Sequence, residues 1–180
     1  GRHLALNELN PDTMADVWVA PLDLGKPDRP VVGEPKLFVQ NPGNDVGAVF
    51  SPTGEWLAYF SDVSGRYKVY VQPFPGPGNP VLISPDGGSY PAWSSNGREL
   101  LFGGGPGIQV VDWHVEGAAF IAQRPRTWSN APMRTVGASR SWGLHPDGKR
   151  IAMFPEDAVD PQSAGGPRFG FLLNFFDELR

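Results

Sequence analysis

The side chains suited to chemistry are few. Three histidines occur, His3, His114 and His145, and imidazole is the group that binds a transition metal or moves a proton near neutral pH. No two have the spacing of ligands on one helix or hairpin, so the chain contains no zinc motif. His145 is the most informative, because it heads the turn His145-Pro-Asp-Gly148. Were the fold to bring His3 and His114 to it, with Asp147 assisting, zinc or another divalent metal would polarise an ester oxygen there or lower the pKa of bound water. That alternative expectation is a weak metal-dependent hydrolase of activated phosphate, sulfate or carboxylate esters. The plainer expectation makes His145 a turn residue and His3 and His114 packing residues in strands, with no cofactor. The chain has no cysteine, which removes thiolate chemistry and a disulfide framework. It also has no Gly-x-Ser-x-Gly nucleophile elbow and no glycine-rich nucleotide loop.

Asp45, Tyr90, Arg140 and Trp142 are the candidates for recognition. Arg140 with Tyr90 can hold a carboxylate of an anionic or peptide ligand. Tyr90 and Trp142 also suit stacking on a sugar. Loop polarity alone accounts for the same residues. Arg124, Arg126 and Arg134 surround Trp128, but net charge is −4 and the pI near 5.3, which argues against a nucleic-acid or anionic-membrane partner. Glu156, Asp157 and Asp160 cluster without the spaced pattern of a calcium loop.

These residues must be positioned by some scaffold, and composition narrows it. Glycine and proline number 23 and 20 of 180 residues, well above the usual ~12 %. They leave few uninterrupted windows of helix length, so a helical bundle is ruled out in practice. The chain is 40 % hydrophobic, which is enough for a core. No apolar run approaches the ~18 residues of a membrane span. No secretory leader is visible, and a chain opening on Gly1 reads as processed or cut from something longer.

Three stretches align: Phe50-Ser-Pro-Thr-Gly54-Glu-Trp-Leu-Ala-Tyr-Phe60, Trp93-Ser-Ser-Asn-Gly97-Arg-Glu-Leu-Leu-Phe102, and Leu144-His-Pro-Asp-Gly148-Lys-Arg-Ile-Ala-Met-Phe154. Gly1-Arg-His-Leu-Ala-Leu6 reads as the back half of a fourth copy. The glycine spacing is close to the ~40–50 residues of a propeller blade. Each copy is an apolar strand end, a proline or serine turn closed by glycine, then a run such as Trp56-Leu-Ala-Tyr-Phe60. A run apolar at both parities fits a strand covered on both faces. Further strands follow at Val17–Ala20, Val69–Gln72, Ile108–Val111 and Phe171–Asn174. Fourth strands are expected at Lys36–Val39 and Val81–Ile83. A two-sheet sandwich is the competing architecture, but sandwiches do not repeat a four-strand sequence unit.

With these residues in view, Phe50 to Asp62 and Ser64-Gly-Arg-Tyr-Lys-Val-Tyr-Val-Gln-Pro-Phe-Pro-Gly76 resemble the WD40-like (PD40) repeat of TolB-type β-propellers. Asp16-Val-Trp-Val-Ala-Pro-Leu-Asp23 and Tyr90-Pro-Ala-Trp-Ser94 share the pattern. The likeness extends to propellers that follow the kinase domain of some bacterial serine/threonine protein kinases. It implies an all-β, partial propeller of about four blades with four-stranded antiparallel sheets. The blades fall at about 1–41, 42–88, 89–135 and 136–180 of a single domain. The first lacks its innermost strand and the last ends early, which leaves two solutions: closure as a compact four-bladed monomer, or the favoured one, completion by a homo-oligomer, most simply a dimer. In such a fold Asp45, Tyr90, Arg140 and Trp142 rim the funnel mouth and His145 approaches the axis. The resemblance implies a non-enzymatic binding or sensor module for a peptide or protein.

Overall fold

The computed structural model describes residues 2–25, 29–105, 107–131 and 140–153. The strand expected at Phe171–Asn174, the acidic cluster of Glu156, Asp157 and Asp160, and Arg134 lie outside the described residues. Every regular element described is a β-strand.

The first sheet contains β1 (His3–Asn10), β2 (Met14–Asp23), β3 (Val31–Val32) and β4 (Lys36–Val39), with β2 pairing antiparallel to the other three. The second is a four-stranded antiparallel meander of β5 (Gly43–Phe50), β6 (Trp56–Ser61), β7 (Lys68–Pro73) and β8 (Val81–Leu82). The third holds β9 (Ser89–Trp93), β10 (Glu99–Gly104), β11 (Gly107–Glu116), β12 (Ala119–Ala122) and β13 (Arg126–Ser129). Its outer side is divided, because β13 pairs with the first half of β11 and β12 with the second. The sequence did not predict that extra hairpin. The fourth sheet, as described, pairs β14 (Trp142–Leu144) with β15 (Ile151–Met153). A short parallel bridge, Met14 to Gly43 and Ala15 to Asn44, ties the first sheet to the second at one corner.

The repeat is written in hydrogen bonds. The Gly54 amide donates to the Ser51 carbonyl, Gly97 to Ser94 and Gly148 to His145, at 2.9–3.0 Å. In the same three turns the amides of Ser51, Ser94 and His145 donate to the carbonyls of Trp56, Glu99 and Arg150. The glycines have φ of 77°, 67° and 68°, a left-handed conformation that costs an L-residue about 1–2 kcal/mol. A further triplet runs across the sheets: the amides of Leu22, Phe74 and Trp113 donate to the carbonyls of Arg2, Glu55 and Arg98. These three acceptors hold one position in three successive units, so the first sheet follows the same frame as the others.

Successive sheets stack face to face. Val17 and Val39 meet Leu57 and Tyr59 between the first and second. Ala58, Phe60, Val69 and Val71 meet Leu100, Phe102 and Val111 between the second and third. Leu101, Ile108 and Val110 meet Trp142, Leu144, Ile151 and Met153 between the third and fourth. All of β6 is buried, as is the middle of β10, as their unbroken apolar runs require. A two-layer sandwich leaves one face of each sheet wet, whereas the second and third sheets here are covered on both. The architecture is a partial propeller, and its core is the set of interfaces between blades.

Candidate functional site

Two sets of loops share one side of the stack. Ser89, at the start of β9, pairs with Gly103, at the end of β10. The loop entering each inner strand therefore lies beside the loop joining the next two strands. That side carries Asp45, Tyr90, Arg140 and Trp142, and the structure puts them to different uses.

Asp45 is fully buried. Its carboxylate accepts two hydrogen bonds from Asn41 Nδ2, at 3.0 and 3.1 Å, and its carbonyl accepts one from Asn7 Nδ2 at 2.9 Å. Burial pushes the Asp45 carboxyl above its ordinary value; Ser61 and Asn41 pull it down through hydrogen bonds, and nearby Asp16 adds to the rise. Asp16, which sequence reasoning passed over, is buried as well. It accepts from Thr13 Oγ1 at 2.9 and 3.0 Å, Asn10 Nδ2 at 3.1 Å and Gln40 Nε2 at 2.8 Å. Asp16 thus ties the β1–β2 turn to the connection after β4, Asp45 ties that connection to β5, and the Asn7 side chain links the first sheet to the second through the Asp45 carbonyl. Asp62 fixes the start of β5 in the same way, accepting from the Asn44 amide at 2.7 Å and from its side chain at 2.9 Å.

Tyr90 has a φ of 52° and is half-buried. Its ring lies 4.8 Å from that of Phe60, which Tyr67 flanks at 5.1 Å on another side. Arg140 is exposed and its guanidinium sits 4.4 Å above the buried Trp142 ring. Trp142 packs into the third–fourth interface, so its indole face is shared between that core and Arg140.

The histidines are not brought together. His3 meets the rings of Phe74 at 4.9 Å and Phe50 at 6.1 Å. His114 lies on the outer half of β11 with Nε2 2.9 Å from Glu116. His145 accepts at Nδ1 from the Asp147 amide at 3.1 Å, and Arg150 Nη2 lies 3.1 Å from its Nε2. The Asp147 carboxyl is held well below the usual carboxylate range, first by the Lys149 amide and then by Arg150 and His145. Among the described residues no three histidine or carboxylate side chains converge on a metal-sized site.

The same side of the stack holds a cleft of about 570 Å³ between the second and third sheets. Asp86 and Arg124 stand at its walls with Gln109, over Phe102, and the backbone of Gly87 and Gly105 completes it. Neither Asp86 nor Arg124 belongs to an ion pair among the described residues. The Asp86 loop is fixed from below. Ser84 Oγ accepts from the Val69 amide at 2.7 Å, and the Gly88 amide donates to the Tyr67 carbonyl at 2.9 Å. Gly88 allows close approach, since a Cβ there would lie 2.7 Å from the Phe102 ring. Sequence reasoning missed Asp86 and Gln109. A signal was present, because Ser84-Pro-Asp-Gly87 has the residue pattern of the repeat turn at a second place in the unit.

Among solved structures the chain resembles one provisionally assigned as TolB from Agrobacterium tumefaciens, with a TM-score of 0.52 and 17 % identity. The match covers 86 % of this chain and 56 % of that one, so this chain spans just over half its length. No protein-family model and no curated protein sequence matches. At this identity the likeness is one of fold. The chain has a TolB-like, partial β-propeller fold; the PD40 and kinase associations expected from the sequence have no counterpart in these matches.

Proposed function

We propose that this chain is a non-enzymatic propeller module that binds an extended peptide segment of a partner protein on its loop-rich side, in the cleft between the second and third sheets. The observation that carries the reading is the pair of opposite charges, Asp86 and Arg124, in one polar cleft without ion-pair partners among the described residues. A peptide offers both N–H donors and C=O acceptors, and Gln109, whose amide makes only long contacts of 3.4 Å to the Gly104 carbonyl and 3.5 Å to Thr127 Oγ1, can answer both by exchanging them. Phe102 beneath gives an apolar floor for a side chain. Arg140 above Trp142, further along the same side, supplies a second cation for an acidic residue of the segment.

The test is selection from a random peptide display library, followed by titration of enriched peptides by fluorescence anisotropy. Arg124→Glu should weaken them about tenfold or more, the cost of losing one charged hydrogen-bonding partner. Glu55→Ala, on the opposite loops, should leave them unchanged. Failure to enrich any peptide, or affinity indifferent to Arg124→Glu, overturns the reading.

A further inference from the structure

Among the described residues nothing packs over the face of the first sheet that points away from the second. The Arg2, Glu55 and Arg98 carbonyls mark equivalent positions, so Leu4 corresponds to Leu57 and Leu100, and Leu6 to Tyr59 and Phe102. In the second and third sheets these residues are sealed by the preceding sheet: Leu57 and Leu100 are 0 % exposed. Leu4 is 43 % exposed. Leu6 pairs across to Trp18, and Trp18 to Leu37, giving an apolar row over three strands that ends in a Leu37 44 % exposed.

The other end of the series is also open. The residue four beyond the turn glycine is Ala58 in the second unit, Leu101 in the third and Ala152 in the fourth. Ala58 packs toward the third sheet and Leu101 toward the fourth. Ala152 is exposed, as is Gly143 opposite it. The described residues therefore carry both halves of a blade interface, one at each end of the series of sheets, and among those residues the two halves do not meet each other.

We propose that the Leu4–Leu6–Trp18–Leu37 face is the seat for the Gly143–Ala152 face of a second copy, extending the internal stacking from one molecule to the next. The occupant is identified by continuity: each covered face of this kind is sealed by the face that Ala58 or its equivalent helps to form. The contact is heterologous, joining two different faces. Applied twice about a twofold axis it closes a ring of two chains, within the 4–8 blades of closed propellers.

The experiment is light scattering on a sizing column. The wild-type chain should elute with twice its 19.5 kDa mass. Leu4→Glu and, separately, Leu37→Glu should give the single-chain mass, with near-ultraviolet circular dichroism unchanged to show that the fold persists. Ala152→Arg should do the same from the opposite face. Mixing Leu4→Glu with Ala152→Arg regenerates one of the two contacts, so the average mass should rise above that of either variant alone. A wild-type mass of 19.5 kDa at every concentration overturns the proposal. So does a pair that survives both Leu4→Glu and Leu37→Glu. Peptide binding in the cleft is read separately and does not depend on this outcome.

Discussion

Asn7 reaches across from the first sheet and donates through Nδ2 to the carbonyl of Asp45, 2.9 Å away and 38 residues on. The contact holds an ionisable side chain in a place where water cannot reach it. Asp45 has neutral donors only, Asn41 and Ser61, and a second buried carboxylate, Asp16, nearby. Hydrogen bonds lower the cost of burying such a charge without cancelling it.

Asp45 consequently gives the fold a pH dependence of defined sign. Its folded pKa lies above the ordinary 3.8, so between those values the folded chain binds the proton more tightly than the unfolded chain. Stability therefore falls as pH rises from about 4 through the folded pKa, then levels. Asp45→Asn removes this contribution. Urea unfolding at a series of pH values should show a flatter dependence just above pH 4 in the variant. The same slope in both proteins would mean that the carboxylate is not desolvated in solution.

The close approach of the third and fourth units is testable at a glycine. Gly148 and Gly54 share a left-handed turn, but a Cβ on Gly148 would lie 2.8 Å from Ser94 Oγ, whereas one on Gly54 meets nothing within 4 Å. Gly54→Ala should cost about 1 kcal/mol, from backbone strain alone. Gly148→Ala should cost measurably more in the same urea titration, because it adds the clash. Equal costs would separate the two sheets more widely than described.

Much of the fold was legible in the sequence because the repeat states the same physical demand several times. Trp56 to Phe60 is apolar at both parities, and only a strand between two other sheets satisfies that. Gly54, Gly97 and Gly148 sit at one left-handed position of one turn. The use of the polar residues was not legible. Asp45 stands in a rim loop by sequence, yet its donors come from Asn41 and, across the hairpin, from Ser61, so only the folded register shows it to be buried. Asp16 looks solvated as the partner of Glu8 across the strands, until Gln40 from the following connection closes over it. The cleft walls, Asp86 and Arg124, lie far apart in sequence and mean nothing singly.

The interface between the second and third sheets also contains a polar strut. Trp93 donates through Nε1 to the Val49 carbonyl at 3.1 Å, and its ring meets Trp113 edge-on at 5.2 Å. Trp93→Phe keeps most of the packing and removes the Nε1–H donor to the Val49 carbonyl. A loss of about 1 kcal/mol is expected. Phe60→Ala in the same interface should cost about 3–5 kcal/mol, from lost burial and the cavity left between Tyr67 and Tyr90. Chemical denaturation checks both, and the ordering of the two losses is the decisive reading.

Arg140 and Trp142 offer a spectroscopic handle on the loop-rich side. A guanidinium 4.4 Å above the indole stabilises the pair by about 0.5–1 kcal/mol where the cation is exposed. Trp142 is itself buried against the third sheet, so its ring stays in place when the cation is removed. Arg140→Ala should therefore leave the circular dichroism of the fold unchanged while altering the tryptophan emission. The same change should follow when an acidic peptide draws Arg140 off the ring, and it should be absent in a Trp142→Phe background. Emission indifferent to Arg140→Ala would show that the stacked arrangement is not held in solution, and Arg140 would then have no preset position from which to receive a ligand.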